Sequence, residues 1–324
     1  MKLLVTGAAG FIGFHLTRRL AQSGHDIIGI DNINDYYDVE LKHGRLKELE
    51  AFPNLRFEKI DICDAQKLNE LFAAEKFDVI LHLAAQAGVR YSLTNPNVYI
   101  SSNIQGFMNV LEAARKHPPR HLVYASTSSV YGLNTKSPFS ENDMVAQPAS
   151  LYAATKLANE QMAYTYSHLY RIPTTGLRFF TVYGPCGRPD MALFIFTKSI
   201  IEDKPINVFN NGNMERDFTY IDDIVEGIIR TMDLIPKGNI ITGVQSAIYN
   251  IGNGAPVQLM DFVHALEEAL GKKANIQFAP MQEGDIAKTW ADCSALKRDT
   301  GFQPFTPVAE GIKEFVTWYK EFYK

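Results

Sequence analysis

The chain has 324 residues, 46% of them hydrophobic and 21% charged, and its 32 basic and 36 acidic side chains give a formal charge of -4. Such a chain can bury one large core, or a nucleotide-binding domain with a smaller partner, and its mild acidity argues against a general nucleic-acid binder while leaving room for a local basic site. Cys63, Cys186 and Cys293 are too few and too scattered for a disulfide framework or a CxxC metal site, which fits a reducing cytoplasm without a metal centre, and no apolar run is long enough for a membrane span.

Leu3, Leu4 and Val5 read as a short buried strand running into Gly7, Gly10, Phe11, Ile12 and Gly13, after which an apolar helical pattern continues to Gly24. A second buried strand over 27–30 ends in Asp31, about 20 residues beyond the glycine turn. This strand, glycine turn, helix and strand form a dinucleotide-binding pattern. Gly7 turns tightly, Gly10 lets backbone approach a pyrophosphate, and Gly13 lets the helix pack on the strand. The helix N-terminus then offers N–H groups to the phosphates. A carboxylate at Asp31 suits ribose hydroxyls and repels a 2′-phosphate, which favours NAD over NADP.

Residues 32–38, beginning with Asn32, are polar and aromatic and suit a loop at the adenosine end. A helix is expected over 40–51, a strand over 55–59 and a helix over 65–72. Asp61 is open to two readings, a helix cap or a cofactor contact beside Ile62. A strand over 78–82 ends in Leu83, Ala84, Ala85 and Gln86, whose small residues allow a ligand to lie against backbone at the strand's carboxyl end. His82 reads as a packed strand residue. Arg90, just beyond, can pair with an anionic group or sit solvated at the surface. A long helix is expected over 97–116, with Asn103 near the cofactor, then a strand over 121–125 followed by Ser126, Thr127, Ser128 and Ser129.

The helix expected over 151–169 carries Tyr152 and Lys156, four residues apart and therefore on one face. An ammonium near a phenol favours the phenolate, so the pair can serve as a base toward a hydroxyl group. A strand over 174–178 precedes Thr181, and the alternation of strand and helix predicts an α/β, doubly wound parallel sheet. Beyond about residue 180 the alternation loosens into a smaller α/β unit. It should contain a helix over 191–202, a strand over 206–209, a helix ending near 232, a strand over 248–251 returning to the main sheet, and amphipathic helices over 258–270 and 308–319. The expected division is 1–180 with a returning segment near 217–252, and 181–324, interleaved.

GxxGxxG with the tyrosine–lysine pair resembles the extended short-chain dehydrogenase/reductase family, whose nucleotide-sugar members are NAD-dependent epimerases and dehydratases on a Rossmann sheet. The likeness runs over essentially the full length, most tellingly at 32–41, 84–92 and 181–191. It implies a catalytic trio of Thr127, Tyr152 and Lys156, NAD contacts at the glycine turn and at Asp31, Asn32, Asp61, Ile62, Leu83, Ala84, Ala85 and Asn103, and a UDP-sugar substrate. Tyr152 would take the O4 proton as hydride leaves C4. Lys156 would lower the tyrosine pKa and hold the nicotinamide ribose, while Thr127 would bond O4. The resemblance implies a homodimer through the helices near 97–116 and 151–169.

Within the family, dehydratases carry an Asp-Glu pair after the threonine and decarboxylases a glutamate near there; here Ser128 and Ser129 stand in those places. Oxidation followed by re-reduction is therefore the simpler outcome, and the resemblance, strongest to the members that act on UDP-glucuronate, implies inversion of its C4 to give UDP-galacturonate. The serines, Thr181, Gln86 and Arg90 or Arg188 would hold the substrate's sugar end, including its carboxylate. Arg188 and Arg216 would meet the diphosphate, each with a plain salt bridge as its alternative, and Val208, Phe209 and Asn210 the uracil. Epimerisation of UDP-glucose, decarboxylation of UDP-glucuronate, and a non-enzymatic NAD-binding protein are the competing readings.

Overall fold

A computed structural model describes residues 1–282 and 284–324. In chain order the first half comprises β1 (Lys2–Thr6), α1 (Phe11–Gln22), β2 (Asp26–Asp31), α2 (Val39–Leu49), β3 (Leu55–Lys59), α3 (Ala65–Glu75), β4 (Val79–His82), the short turns α4 (Tyr91–Thr94) and α5 (Pro96–Tyr99), α6 (Phe107–Lys116), β5 (His121–Thr127), α7 (Leu151–Tyr170) and β6 (Thr174–Phe179). The second half contains β7 (Thr181–Tyr183), α8 (Ala192–Ile201), β8 (Pro205–Phe209), β9 (Glu215–Arg216), β10 (Phe218–Tyr220), α9 (Ile221–Met232), β11 (Ser246–Ile251), β12 (Val257–Gln258), α10 (Leu259–Leu270), β13 (Asn275–Ala279), α11 (Ser294–Thr300) and α12 (Val308–Phe322).

Seven strands form one parallel sheet in the order β3-β2-β1-β4-β5-β6-β11. Because side chains alternate along a strand, each contributes to two cores. Leu3, Val5, Leu81 and Val123 pack with Leu16 and Leu20 of α1 and Ile224 and Ile228 of α9. Leu4, Ile80 and Leu122 face the other way, with Leu68 and Phe72 of α3, Val110 and Leu111 of α6 and Ala163 of α7. The strand order reverses between β1 and β4, and open α/β sheets bind their ligands in the crevice at such a reversal.

The doubly wound parallel sheet is as the sequence predicts. The helix expected over 97–116 is not continuous: a π-helical stretch, Ile100–Gly106, separates α5 from α6. Its cause lies across the chain. Asn103 points inward, accepting from the Gln86 backbone N–H at 2.8 Å and donating to the Gln86 carbonyl and the Thr155 hydroxyl, while Asn159 donates to the Asn103 carbonyl at 2.6 Å. Contacts that draw a helix residue's side chain and carbonyl to outside partners are met by widening the turn.

The chain beyond β6 builds a third core, in which Leu193, Phe196, Ile206, Phe262, Leu266, Ile312 and Phe315 meet. Three two-stranded pairs frame it: β7 with β10, β8 with β13, and β9 with β12. Among the described residues no helix is long and apolar enough to cross a membrane.

Candidate active site

One cleft at the carboxyl ends of β1, β2, β4 and β5 collects most of the residues singled out in the sequence. Its floor is the glycine turn. Gly7 has φ +76°, and a Cβ there would stand 2.8 Å from the Ala84 backbone nitrogen. A Cβ on Gly13 would overlap the Gly7 carbonyl oxygen. Gly10 precedes α1 without any side-chain cap, so the first-turn N–H groups of α1 remain available to an anion. Thr6 Oγ1 accepts from the Leu83 and Ala84 N–H groups and bonds His82 Nδ1 at 2.9 Å, tying β1 to the end of β4 where the strand order reverses.

Asp31 and Asn32 line the cleft beyond β2. Asp31 Oδ1 accepts from the Ile33 N–H at 2.8 Å, and Asn32 donates to Asp61 at 2.9 Å. Burial acts to raise the Asp61 pKa, but bonds from Asn32 and the Cys63 N–H outweigh it, so the group remains a carboxylate below its usual range. The two sequence readings of Asp61 separate here. The cap of α3 is Asp64, which accepts from the Lys67 N–H at 3.0 Å, while Asp61 lines the cleft beside Ile62. A pyrophosphate cradle that side chains would fill, a ribose-facing carboxylate, and small residues at Ala84 and Ala85 together fit an NAD-type dinucleotide.

Thr127, Tyr152 and Lys156 share this cleft. Ser150 begins α7 with extended backbone and accepts from the Ala153 N–H at 3.1 Å, which fixes the helix start and hence the tyrosine. Thr127 ends β5, its hydroxyl 3.2 Å from Ser129 Oγ. Burial raises the Tyr152 phenol above its ordinary pKa; the Arg188 guanidinium and hydrogen bonding with Thr127 oppose that rise. Lys156 and Arg188 both line the cleft with the phenol, Arg188 being a second cation that periodicity along α7 does not reveal. Lys156 is itself depressed to about 8, chiefly by burial, with Glu160 acting to raise it. A proton-exchanging phenol beside a hydroxyl and a buried amine can act on a substrate hydroxyl.

Gln86 and Arg188 line the same cleft. Arg188 is paired with Asp190 through two bonds of 2.9 and 2.5 Å, and Tyr36 donates to the same carboxylate at 2.9 Å. The remaining expected contacts lie elsewhere. Asn103 stands behind the wall and holds Gln86. Ser128 and Ser129 form a half-buried turn behind Thr127, whereas Ser126 reaches the cleft. Thr181 lines a small adjoining pocket with Val182 and Arg188. Val208 is fully buried in the third core, so its side chain cannot meet a base; the next residue, Phe209, is half-buried and carries Arg90 5.4 Å from its ring centre. Arg216 bonds Asp285 at 2.6 Å and Arg90 lies 4.0 Å from the same carboxylate, so the two cations share an acid in this state.

Sequence reasoning missed Tyr36, Tyr37 and Lys42 as lining residues. Lys42 donates to the Asn34 carbonyl and side chain at 2.7 Å, closing the 32–38 loop against α2. The tyrosine pair in an otherwise polar loop was the available signal; Lys42 gave none, because it sits in an ordinary amphipathic helix.

The family model described as the NAD dependent epimerase/dehydratase family matches residues 3–252. The chain is 48% identical to UDP-glucuronate 4-epimerase 4 of Arabidopsis thaliana, over 99% of this chain and 76% of that protein. It is 45% identical to the probable UDP-glucuronate 4-epimerase of Rhizobium meliloti (strain 1021), over 100% of this chain and 98% of the relative. Among solved structures, UDP-glucuronic acid 4-epimerase from Bacillus cereus in complex with UDP-glucuronic acid and NAD is 35% identical, with a TM-score of 0.91 and full coverage of both chains.

Proposed function

Because the chain belongs to the NAD dependent epimerase/dehydratase family, we propose that it inverts C4 of UDP-glucuronate to give UDP-galacturonate, with NAD regenerated in every cycle. The observation that carries this reading is that Thr127, Tyr152 and Lys156 line the same cleft as the glycine turn. NAD, when bound, accepts the C4 hydride and returns it. Gly7, Gly10 and the first turn of α1 would hold its pyrophosphate, and Asp31 its adenosine ribose. Thr127 orients the sugar O4. Tyr152, acting as the phenolate, takes the O4 proton and gives it back after the keto sugar has presented its other face. Arg188 tempers the burial of the phenol, and Lys156 contributes the ammonium that faces the nicotinamide ribose.

The substrate's carboxylate is retained because Ser128 and Ser129 follow Thr127 where an acid would assist its loss. Arg188 is the cation in the cleft best placed to hold an anionic sugar group, and it would have to exchange Asp190 for the substrate. Residues 1–180 with the segment near 217–252 form the cofactor unit in this reading, and 181–324 the nucleotide-sugar unit. A homodimer through α6, α7 and the π-helical stretch belongs to it as well. Ile100 and Tyr164 are exposed on those elements and would be covered, which light scattering of the purified protein tests. Three free cysteines suit a reducing cytoplasm.

The deciding experiment incubates the protein with UDP-glucuronate and, separately, UDP-glucose, and resolves the products by NMR. UDP-galacturonate from the first is expected. Turnover of UDP-glucose alone would transfer the reading to that sugar, and a pentose nucleotide as the main product would make the protein a decarboxylase.

A further inference from the structure

The catalytic face of α7 has a second layer behind it. Glu160 lies one turn beyond Lys156 on the same helix face and is 5% exposed. Its Oε1 accepts from the Ser126 hydroxyl at 2.6 Å and from Arg178 Nε at 2.9 Å, and its Oε2 accepts from Arg178 Nη2 at 2.8 Å. Arg178, on β6, lies with its guanidinium carbon 4.9 Å from the centre of the Tyr131 ring, and its Nη1 has no partner among the described residues. A buried ion pair is a poor route to stability, because desolvating two charges rivals their attraction, and here one guanidinium nitrogen is left over.

The location of this pair explains it better than stability does. Ser126 lines the cleft and is joined directly to Thr127; Lys156 lines the cleft and is 2% exposed. The carboxylate therefore touches the strand that carries one catalytic group and stands one helical turn behind another. We propose that Glu160 is a positioning residue for the reaction: held between Ser126 and Arg178, its carboxylate supplies the negative charge that lets Lys156 remain an ammonium in the wall of the cleft, and it ties the end of β5 to α7. This inference rests on the proposed epimerase reading for the use made of Lys156, but the charge relation itself does not.

The other ionisable groups around the pair do not supply that charge. His82, on β4, is fully buried and held neutral, with its pKa lowered to about 3 by burial and by Lys156. Tyr124, on β5, is buried with its phenol pushed far up, and burial raises Tyr131 to about 12. Tyr152, on α7, is likewise raised by burial, and Arg178 and Arg188 are cations. Among the described residues Glu160 is the acid that acts on Lys156, whose own pKa burial lowers to about 8.

The test uses the full-length, NAD-loaded protein with lysine carbon-13 labelled at Cε, the Lys156 resonance being identified by its loss in Lys156→Met. In Glu160→Gln the Lys156 titration midpoint is expected to move toward acid by about one pH unit. The alkaline limb of kcat should move with it, while KM for UDP-glucuronate changes by less than about twofold. Glu160→Asp, which keeps the charge, should return most of the midpoint. Since Glu160→Gln leaves Arg178 buried and uncompensated, the double variant Glu160→Gln, Arg178→Met removes the pair as a unit and is expected to show an acid shift in the same direction but smaller, because the opposing guanidinium charge leaves with the carboxylate. A Lys156 midpoint that stays in place in the folded variants, or a loss of kcat equal at every pH, would overturn the proposal and leave Glu160 a scaffold residue. The two readings fail separately: a midpoint that moves in a wild-type background unable to turn over UDP-glucuronate refutes the substrate assignment and supports the charge relation. Wild-type turnover with an unmoved midpoint does the reverse.

Discussion

Tyr152 and Lys156 are each held away from their ordinary protonation behaviour, and in opposite senses. Burial pushes the phenol up, against Arg188 and Thr127, and weakens the ammonium's hold on its proton. Replacing Tyr152 by Phe removes the group that exchanges the substrate proton, and kcat should fall by about 100-fold or more. The cofactor should remain, because the glycine turn is untouched, so NAD released on denaturing the purified variant should match wild type. Lys156 predicts the alkaline behaviour. Its lowered pKa means the ammonium is fully present well below pH 8 and is lost as pH rises through about 8. Activity that needs the ammonium should therefore decline on the alkaline side of a kcat profile, well before an ordinary lysine would titrate. A flat profile to pH 10 would exclude Lys156 as the required cation.

At the scale of elements, the start of α7 matters more than its length. The Ser150 hydroxyl satisfies one of the N–H groups left open at the helix start, and Tyr152 is the second residue of that helix. Ser150→Ala should cost about 1 kcal/mol in urea unfolding. It should also lower kcat more than it raises KM, since Tyr152 loses its fixed start while the rest of the cleft persists. The elements legible in the sequence were those written locally: the glycine spacing after β1, the buried runs of β1, β2 and β4, and the tyrosine–lysine pair one turn apart. The π-helical stretch at Ile100–Gly106 was not legible, because it answers to Gln86, Thr155 and Asn159, which are distant in sequence. Arg216 has two readings in the sequence, a cation for a diphosphate or a salt-bridge partner, and only the fold brings Asp285 to it. Val208 is a ligand contact only by the family resemblance, and strand alternation turns its side chain into the third core. Arg188 was hidden for a related reason. Periodicity shows that Lys156 shares its face but says nothing about Arg188, which arrives from beyond β7.

Across the second half of the molecule, a single buried carboxylate ties together segments distant in sequence. Asp217 Oδ1 accepts from the Asn253 N–H at 2.7 Å, and Oδ2 accepts from the Gly254 and Ala291 N–H groups at 3.0 and 2.9 Å. Asp217→Asn must set an amide N–H₂ against a backbone donor whichever way it turns. It should therefore destabilise the fold by about 2 kcal/mol, read as a lower urea midpoint with an unchanged slope. The return of β11 to the sheet has a consequence for how the protein is made. β6 is complete at Phe179, but its outer neighbour begins only at Ser246, after α8, β8 and α9 have been made. While the ribosome writes the intervening chain, the nascent sheet carries a bare strand edge, the feature most prone to pairing with the wrong partner. A fragment cut at residue 180 would leave β6 without its outer neighbour permanently, so the first 180 residues encode the dinucleotide fingerprint without encoding the whole sheet.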